Sequence, residues 1–252
     1  MSIDTAKTIL IVGATSGLGR ALALALAALP SAPTVIGAGR RKARLEELAS
    51  KGIDTLEFDV SLPIDQLKKN IDDLIAKYPT LDAVIFSSGV QYQQNFKKQQ
   101  VNLEEISKEM HINYIAVVST ISLLTPHFLA LSERGLPSWI IPITSGLALK
   151  PGPQVINYSA SKAALHSFSD SLRIQLADTK INVLEIIPPL VESELHDDQG
   201  MTETLSKFWM PLDKYTPLTI EGLQRGDLHI AAGKAQAVWK TIEAAGLNGP
   251  FQ

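Results

Sequence analysis

The chain has no cysteine in its 252 residues, which excludes a disulfide framework, a thiolate metal site and a cysteine nucleophile. Neither sign of charge dominates, because 23 basic against 26 acidic residues give a formal net charge of −3. A nucleic-acid-binding surface would tip that balance, so no nucleic-acid partner is expected. Long apolar runs are also missing. The longest uninterrupted one, Ala21 to Leu29, is far short of the roughly 20 residues a spanning helix needs, so no membrane partner is expected. The N-terminus, Met-Ser-Ile-Asp-Thr, lacks the basic n-region of a secretory signal. His111, His127, His166, His196 and His229 show none of the short spacings typical of metal ligands. Each reads as a surface or packed side chain, and no metal is expected. The acidic pairs Asp72-Asp73, Glu104-Glu105 and Asp197-Asp198 read as solvated faces or turns. What is left is a soluble, cytoplasmic protein, 45% hydrophobic and 19% charged, able to bury a core.

Within that composition, short apolar runs alternate with helical patterns. Strands are expected at Thr8 to Val12, Thr34 to Ala38, Thr55 to Val60, Leu81 to Phe86, Ser138 to Ile143 and Asn182 to Ile187. Helices are expected at Leu18 to Leu29, Arg44 to Ser50, Ile64 to Lys77, Leu103 to Leu131 and Tyr158 to Ala177. Continuously apolar strands separated by helices imply a parallel sheet covered on both faces. With right-handed crossovers this is an α/β, doubly wound Rossmann fold. No linker or repeat divides it, so a single domain over residues 1–252 is expected. Residues 192–225 break the rhythm and read as an insertion over the C-terminal edge of the sheet, a substrate lid. Its Phe208, Trp209 and Met210 form either the apolar wall of a substrate pocket or the packing face of a lid helix.

Gly13-Ala14-Thr15-Ser16-Gly17-Leu18-Gly19 lies between the first strand and the first helix. Glycines there let the backbone turn sharply and approach a pyrophosphate, to which the helix N-terminus offers amides and a positive dipole end. At the end of the second strand a dinucleotide fold selects its cofactor: an acid binds the ribose 2′-hydroxyl of NAD, an arginine the 2′-phosphate of NADP. No Asp or Glu occurs from Thr5 to Leu45, and the expected place reads Gly39-Arg40-Arg41-Lys42, with Arg44 beyond. The expected cofactor is therefore NADP, NADPH in preference to NADH, with Arg40 and Arg41 as phosphate ligands. Arg41, Lys42 and Arg44 also fit a second role, solvating a helix start. Asp59 and Val60 are placed to meet the adenine, although Asp59 fits a surface strand end equally well.

Tyr158 and Lys162 stand at i and i+4, on one face of a helix. A phenol has an ordinary pKa of about 10, and a nearby cation lowers it. The pair thus makes a general acid for a carbonyl or a base for an alcohol. Ser145, thirteen residues upstream, is placed to hold a substrate oxygen as charge develops on it. Asn113, inside the long helix, is placed to interrupt helical hydrogen bonding and hold a water on Lys162. Pro188 and Val191 would wall a nicotinamide ring.

Taken together, these residues resemble the short-chain dehydrogenase/reductase family, from Thr8 to about Ser193. Gly13, Gly17 and Gly19 match its glycine motif, Asp59 its adenine-contacting aspartate, and Asn113, Ser145, Tyr158 and Lys162 its catalytic tetrad. The resemblance implies that Tyr158 exchanges the proton and Ser145 orients the carbonyl. It implies that Lys162 binds the nicotinamide ribose and lowers the tyrosine pKa, and that Asn113 anchors a relay water. Cofactor contacts are expected at Thr15, Ser16, Leu18, Ser88, Gly89 and Ser193 as well. The sequence departs from the family at Val12, at Phe86-Ser87-Ser88-Gly89 in place of Asn-Asn-Ala-Gly, at Pro189 in place of glycine, and at Ser193 in place of threonine. The function expected is hydride transfer between NADP(H) and a small-molecule carbonyl or alcohol. A catalytically silent NADP-binding sensor, or a dehydratase or epimerase on the same fold, are the alternatives. The substrate pocket is expected around Gly146 to Ile156 and in the 192–225 insertion. A homodimer or homotetramer is implied, built on the Leu103–Leu131 and Tyr158–Ala177 helices.

Overall fold

The computed structural model describes residues 1–97 and 101–246. The end of the expected 1–252 domain and the side chain of Asp198 lie outside the described residues. Six strands form one parallel sheet in the order β3-β2-β1-β4-β5-β6: β1 Thr8–Val12, β2 Thr34–Gly39, β3 Asp54–Glu57, β4 Leu81–Phe86, β5 Ser138–Pro142 and β6 Ile181–Val183. The helices are α1 Gly17–Ala27, α2 Lys42–Ala49, α3 Ile64–Lys77, α4 Leu103–Met110, α5 Ala116–Glu133, α6 Gly146–Leu149, α7 Ile156–Gln175, α8 Thr202–Leu205, α9 Leu212–Arg225 and α10 Gly233–Ala244. The strand order reverses between β1 and β4. In a doubly wound sheet, ligands bind outside the carboxyl ends of the strands at such a switch point.

Every residue of β1, β4 and β5 is buried, because helices cover both faces. Alternation within β1 sends Ile9 and Ile11 to one face, where Leu22 and Leu26 of α1 and Tyr215 and Leu223 of α9 meet them. Leu10 and Val12 face the other way, toward Ile71 of α3 and Leu124 and Phe128 of α5. In α3 the buried residues Leu67, Ile71 and Leu74 recur at helical spacing.

Four expectations need correction. The strand foreseen at Asn182 to Ile187 is two strands: β6 pairs with β5, while β7, Glu185–Ile187, pairs with β8, His229–Ala231. The break comes at Leu184, whose amide still reaches Ile140 O while the next amide, Glu185 N, turns to Leu228 O. The third strand stops at Glu57, before Asp59. Of the 192–225 insertion, α9 is a core helix, packed on α1 through Tyr215 and Leu223. Finally, one helix does have the length and composition of a membrane span: Leu103–Glu133 runs for 31 residues and contains an 18-residue window with a mean hydropathy of 1.7. Its Val117, Ile121, Leu124, Phe128 and Leu131 are buried against the sheet, so its apolar character serves the core.

Candidate active site

Beyond β1 the chain turns at Gly13, whose φ of +92° lies in the left-handed region. A Cβ there would lie 2.4 Å from Ser88 N, and one at Gly19 would lie 2.2 Å from Gly13 O. The turn is therefore held tight by Gly13 and Gly19, while Thr15, Ser16, Gly17 and Leu18 line the cleft. Ser16, the N-cap of α1, makes no side-chain cap bond, so the first-turn amides remain available to an anion.

The end of β2 borders this turn. Arg40 is exposed and lines the cleft. Arg41 donates through Nε to Thr15 Oγ1 at 3.2 Å and through Nη2 to Ser16 Oγ. Its Nη1 and Arg44 Nη2 meet the two carboxylate oxygens of Glu194, at 2.6 and 3.1 Å. Lys42 pairs instead with Glu57 at 3.2 Å. Val60 lines the cleft, but Asp59 does not. Because β3 ends early, Asp59 opens a turn in which its Oδ1 accepts from Ser61 N at 2.8 Å and Ser61 Oγ at 2.7 Å. Burial raises its pKa, but these bonds and the Arg40 charge outweigh burial and hold the carboxyl below its ordinary value.

At the other end, β5 delivers Ser145 and α7 delivers Tyr158 and Lys162, all three buried. Ser145 caps α6, its Oγ accepting from Leu147 N at 3.1 Å. Lys162 Nζ lies 5.8 Å from the Tyr158 ring centroid and donates to Ile143 O at 2.9 Å. Asn113 sits in a π-helical turn, His111–Ile115, between α4 and α5, so the helix does open where the sequence suggested. Its side chain accepts from Val90 N and donates to Val90 O, both at 2.9 Å, and donates to Ser161 Oγ at 3.1 Å. A Cβ on Gly89 would come within 3.3 Å of Asn113 Oδ1 and 3.8 Å of Lys162 Nζ. Gly89 thus keeps the loop after β4 close to both.

The electrostatics correct one expectation. Burial pushes the Tyr158 phenol up to about 12, against the pull of the Ser145 hydroxyl and with the charge of Glu109 adding to the rise. Burial likewise brings Lys162 down to about 8, which Glu109 opposes. The desolvation of both groups exceeds any acidification of the tyrosine by the lysine. The Tyr158 phenol therefore stays neutral across the physiological range.

Glu109 escaped the sequence reading. Fully buried, it accepts from Tyr92 N at 2.8 Å and from Asn157 Nδ2 at 2.7 Å, fastening the loop after β4 to the residue before Tyr158. Its place on the same helix as Asn113, four residues earlier, was the available signal. Pro188, Pro189, Val191 and Ser193 line the cleft, and so do Leu147, Gly152 and Val155 of the expected pocket segment. From the insertion, Leu195, Met201 and Leu205 supply the wall. Phe208 is exposed, while Met210 bridges Val191 and packs on the core.

The cleft has a volume of about 1490 Å³, above the roughly 300–1,000 Å³ of an ordinary small-molecule pocket. Ser88 Oγ, which borders it, is buried with no hydrogen-bond partner among the described residues, and the Glu194 carboxylate already sits between two arginines. Uncapped amides, an orphan hydroxyl and paired guanidinium groups fit a phosphate-bearing dinucleotide.

Residues 7–204 match the short chain dehydrogenase family. The chain belongs to that family. It is 33% identical over 236 residues to an uncharacterized oxidoreductase, DltE, of Bacillus subtilis, covering 93% of this chain and 91% of the relative. To 11-beta-hydroxysteroid dehydrogenase 1A of Arabidopsis thaliana it is 31% identical over 199 residues, 75% of this chain and 53% of that protein. Among solved structures, a short-chain dehydrogenase from Sphingobium yanoikuyae in complex with NADPH superposes with a TM-score of 0.81 at 22% identity, covering 98% and 96% of the two chains. One from Burkholderia phymatum in complex with NAD reaches 0.83 at 18% identity, covering 100% of both. Family membership makes the chain an oxidoreductase on a Rossmann-type sheet.

This short-chain dehydrogenase has a second polar cluster that histidine spacing concealed. His166 and Asp170 of α7 and Glu185 of β7 bring ligand-type atoms within 4.8 Å of one another. His229 joins them, with Nε2 3.0 Å from Asp170 Oδ1. Residues up to 63 apart in sequence meet only because β7 and β8 pair beside α7.

Proposed function

We propose that the protein is an NADP(H)-dependent reductase of small carbonyl compounds or, in reverse, an alcohol dehydrogenase. The observation that carries this reading is one cleft with a buried Tyr158–Ser145–Lys162 group at one end and the Arg40–Arg41–Thr15–Ser16 corner at the other. The nicotinamide, when bound, supplies or accepts the hydride. The proton belongs to the chain. Tyr158, held neutral by burial, donates it to the developing alkoxide, and Ser145 steadies the same oxygen. Lys162, tied to Ile143 O, is assigned to the nicotinamide ribose. Asn113 fixes the Val90 backbone and, with Lys162, leads toward a relay water. The amides opening α1 hold the pyrophosphate, while Arg40 and Arg41 hold the 2′-phosphate, with Val60, Ser88, Gly89, Pro188, Val191 and Ser193 along the remaining wall. Residues 192–211 act as the lid. The exposed side chains of Ile115 and Leu129 on the α4–α5 helix and Ile174 on α7 support self-association through these helices.

Fluorescence titration tests the cofactor assignment: NADPH binds more tightly than NADH, and Arg40→Glu weakens NADPH by about 10–100-fold, the worth of one charge-assisted bond. Equal affinities for the two nucleotides overturn it. A carbonyl panel without turnover, despite tight NADPH binding, points instead to a silent nucleotide-binding protein.

A further inference from the structure

Glu194 carries a charge that neither the glycine turn nor the proton-transfer group requires. It opens the short 3-10 helix Glu194–Gln199 just after Ser193, on the segment assigned as lid. Its carboxylate spans the cleft to Arg41 Nη1 at 2.6 Å and Arg44 Nη2 at 3.1 Å. The remaining donors of Arg41 rest on Thr15 Oγ1 and Ser16 Oγ. Two guanidinium groups and two hydroxyls thus converge where the first turn meets the end of β2, and a carboxylate from the lid fills the gathering point.

We propose that Glu194 is an internal anion competing with the 2′-phosphate of the cofactor for Arg41 and Arg44, so that phosphate binding unlatches the lid segment. The inference rests on the NADP reading given above. A phosphate monoester brings ~1.5–2 negative charges and three acceptor oxygens against the single charge of a carboxylate, so it wins the arginines once it is bound. Side-chain exposures of 38% for Glu194 and 50% for Arg41 mean that water shares the pair and its rupture costs little. A nucleotide lacking the 2′-phosphate leaves the latch shut. Glu194 therefore sets how strongly the two cofactors are discriminated and couples that choice to the lid.

Calorimetric titration with 2′,5′-ADP and 5′-AMP isolates the phosphate from the nicotinamide. Glu194→Gln raises affinity for 2′,5′-ADP by about 3–10-fold, the range of one or two exposed ion pairs, and leaves 5′-AMP within about twofold. In the unaltered protein, 2′,5′-ADP speeds amide hydrogen exchange over residues 194–199, whereas 5′-AMP does not. If the protein prefers 2′,5′-ADP but Glu194→Gln binds it no better, the latch is wrong and the NADP reading stands. If the protein binds both ligands alike and Glu194→Gln creates a preference for 2′,5′-ADP, the latch is right and the NADP reading falls. No preference in either protein overturns both.

Discussion

Toward its N-terminal end α7 presents Tyr158 and Lys162; further along the same stripe it presents His166, Asp170 and Arg173. Both groups are largely removed from water, yet their charges are handled differently. Lys162 donates to a neutral carbonyl and forms no ion pair among the described residues. The second group is closed on itself. Glu185, fully buried, takes His166 Nδ1 at 2.8 Å and the hydroxyl of Thr144. Asp170 takes Arg173 and His229, while Arg173 Nε donates to Val183 O at 2.8 Å. Each charge there has an opposite within reach. Burial with partners locks ionisation in place, whereas burial without them leaves a proton or charge to be settled by whatever enters the cleft.

The largest expected effect separates the two groups by function. Tyr158→Phe removes one hydroxyl, which meets the Ser145 hydroxyl, and keeps the buried ring, so melting temperature and cofactor affinity change little. Turnover falls by about 10²–10⁴-fold, the usual worth of a positioned general acid. Activity surviving at wild-type level would place the proton donor elsewhere and erase the contrast.

How far each group could be read from the amino-acid order follows from the distances spanned. Tyr158 and Lys162 are one helical turn apart, and the glycine turn is local, so spacing alone exposed them. The strand–helix alternation was legible because buried parallel strands are continuously apolar. Asp59 stayed open between an adenine contact and a surface strand end because no pattern signals that its carboxylate closes on Ser61. The break at Leu184 depends on β8, a three-residue strand too short to announce itself. The ion-pair cluster and the Glu194 latch join residues from distant elements, and only the assembled fold brings them together. For the same reason the tyrosine pKa ran opposite to expectation: neighbours in a sequence reveal a nearby charge but not the depth of burial.

Stability provides the next test, with a moderate effect of the opposite kind. Arg173→Ala leaves Asp170 with its histidine partners alone and takes the guanidinium donor from Val183 O. The loss is about 2–3 kcal/mol, below the usual cost of breaking a fully buried pair because Asp170 is partly solvated. That lowers the melting temperature by roughly 4–12 °C, while kcat of the folded enzyme changes by less than about twofold. A large fall in kcat with unchanged melting would show that the second group takes part in the reaction.

The smallest effect concerns pH. Burial disfavours the charged form of His166, but Glu185 and Asp170 outweigh it and raise its pKa above the ordinary 6.5. Asp170 moves the other way, from 3.8 down to about 2, where burial is overcome by His229 and Arg173. A raised histidine stabilises fully below its unfolded value and loses that contribution as pH climbs through the folded one. A depressed aspartate stabilises above its unfolded value and loses it as pH falls toward 2. Both contributions are present together between about pH 4 and 6.5. His166→Gln, which keeps a polar side chain without the charge, should therefore show its greatest melting deficit in that window, shrinking as pH rises beyond it. The deficit is about 1 kcal/mol, a few degrees at most. A deficit that is flat with pH would mean that His166 is held by packing against His229 and Trp239, its ring neighbours at 6.1 Å each, and that the closed cluster owes its stability to shape more than to charge.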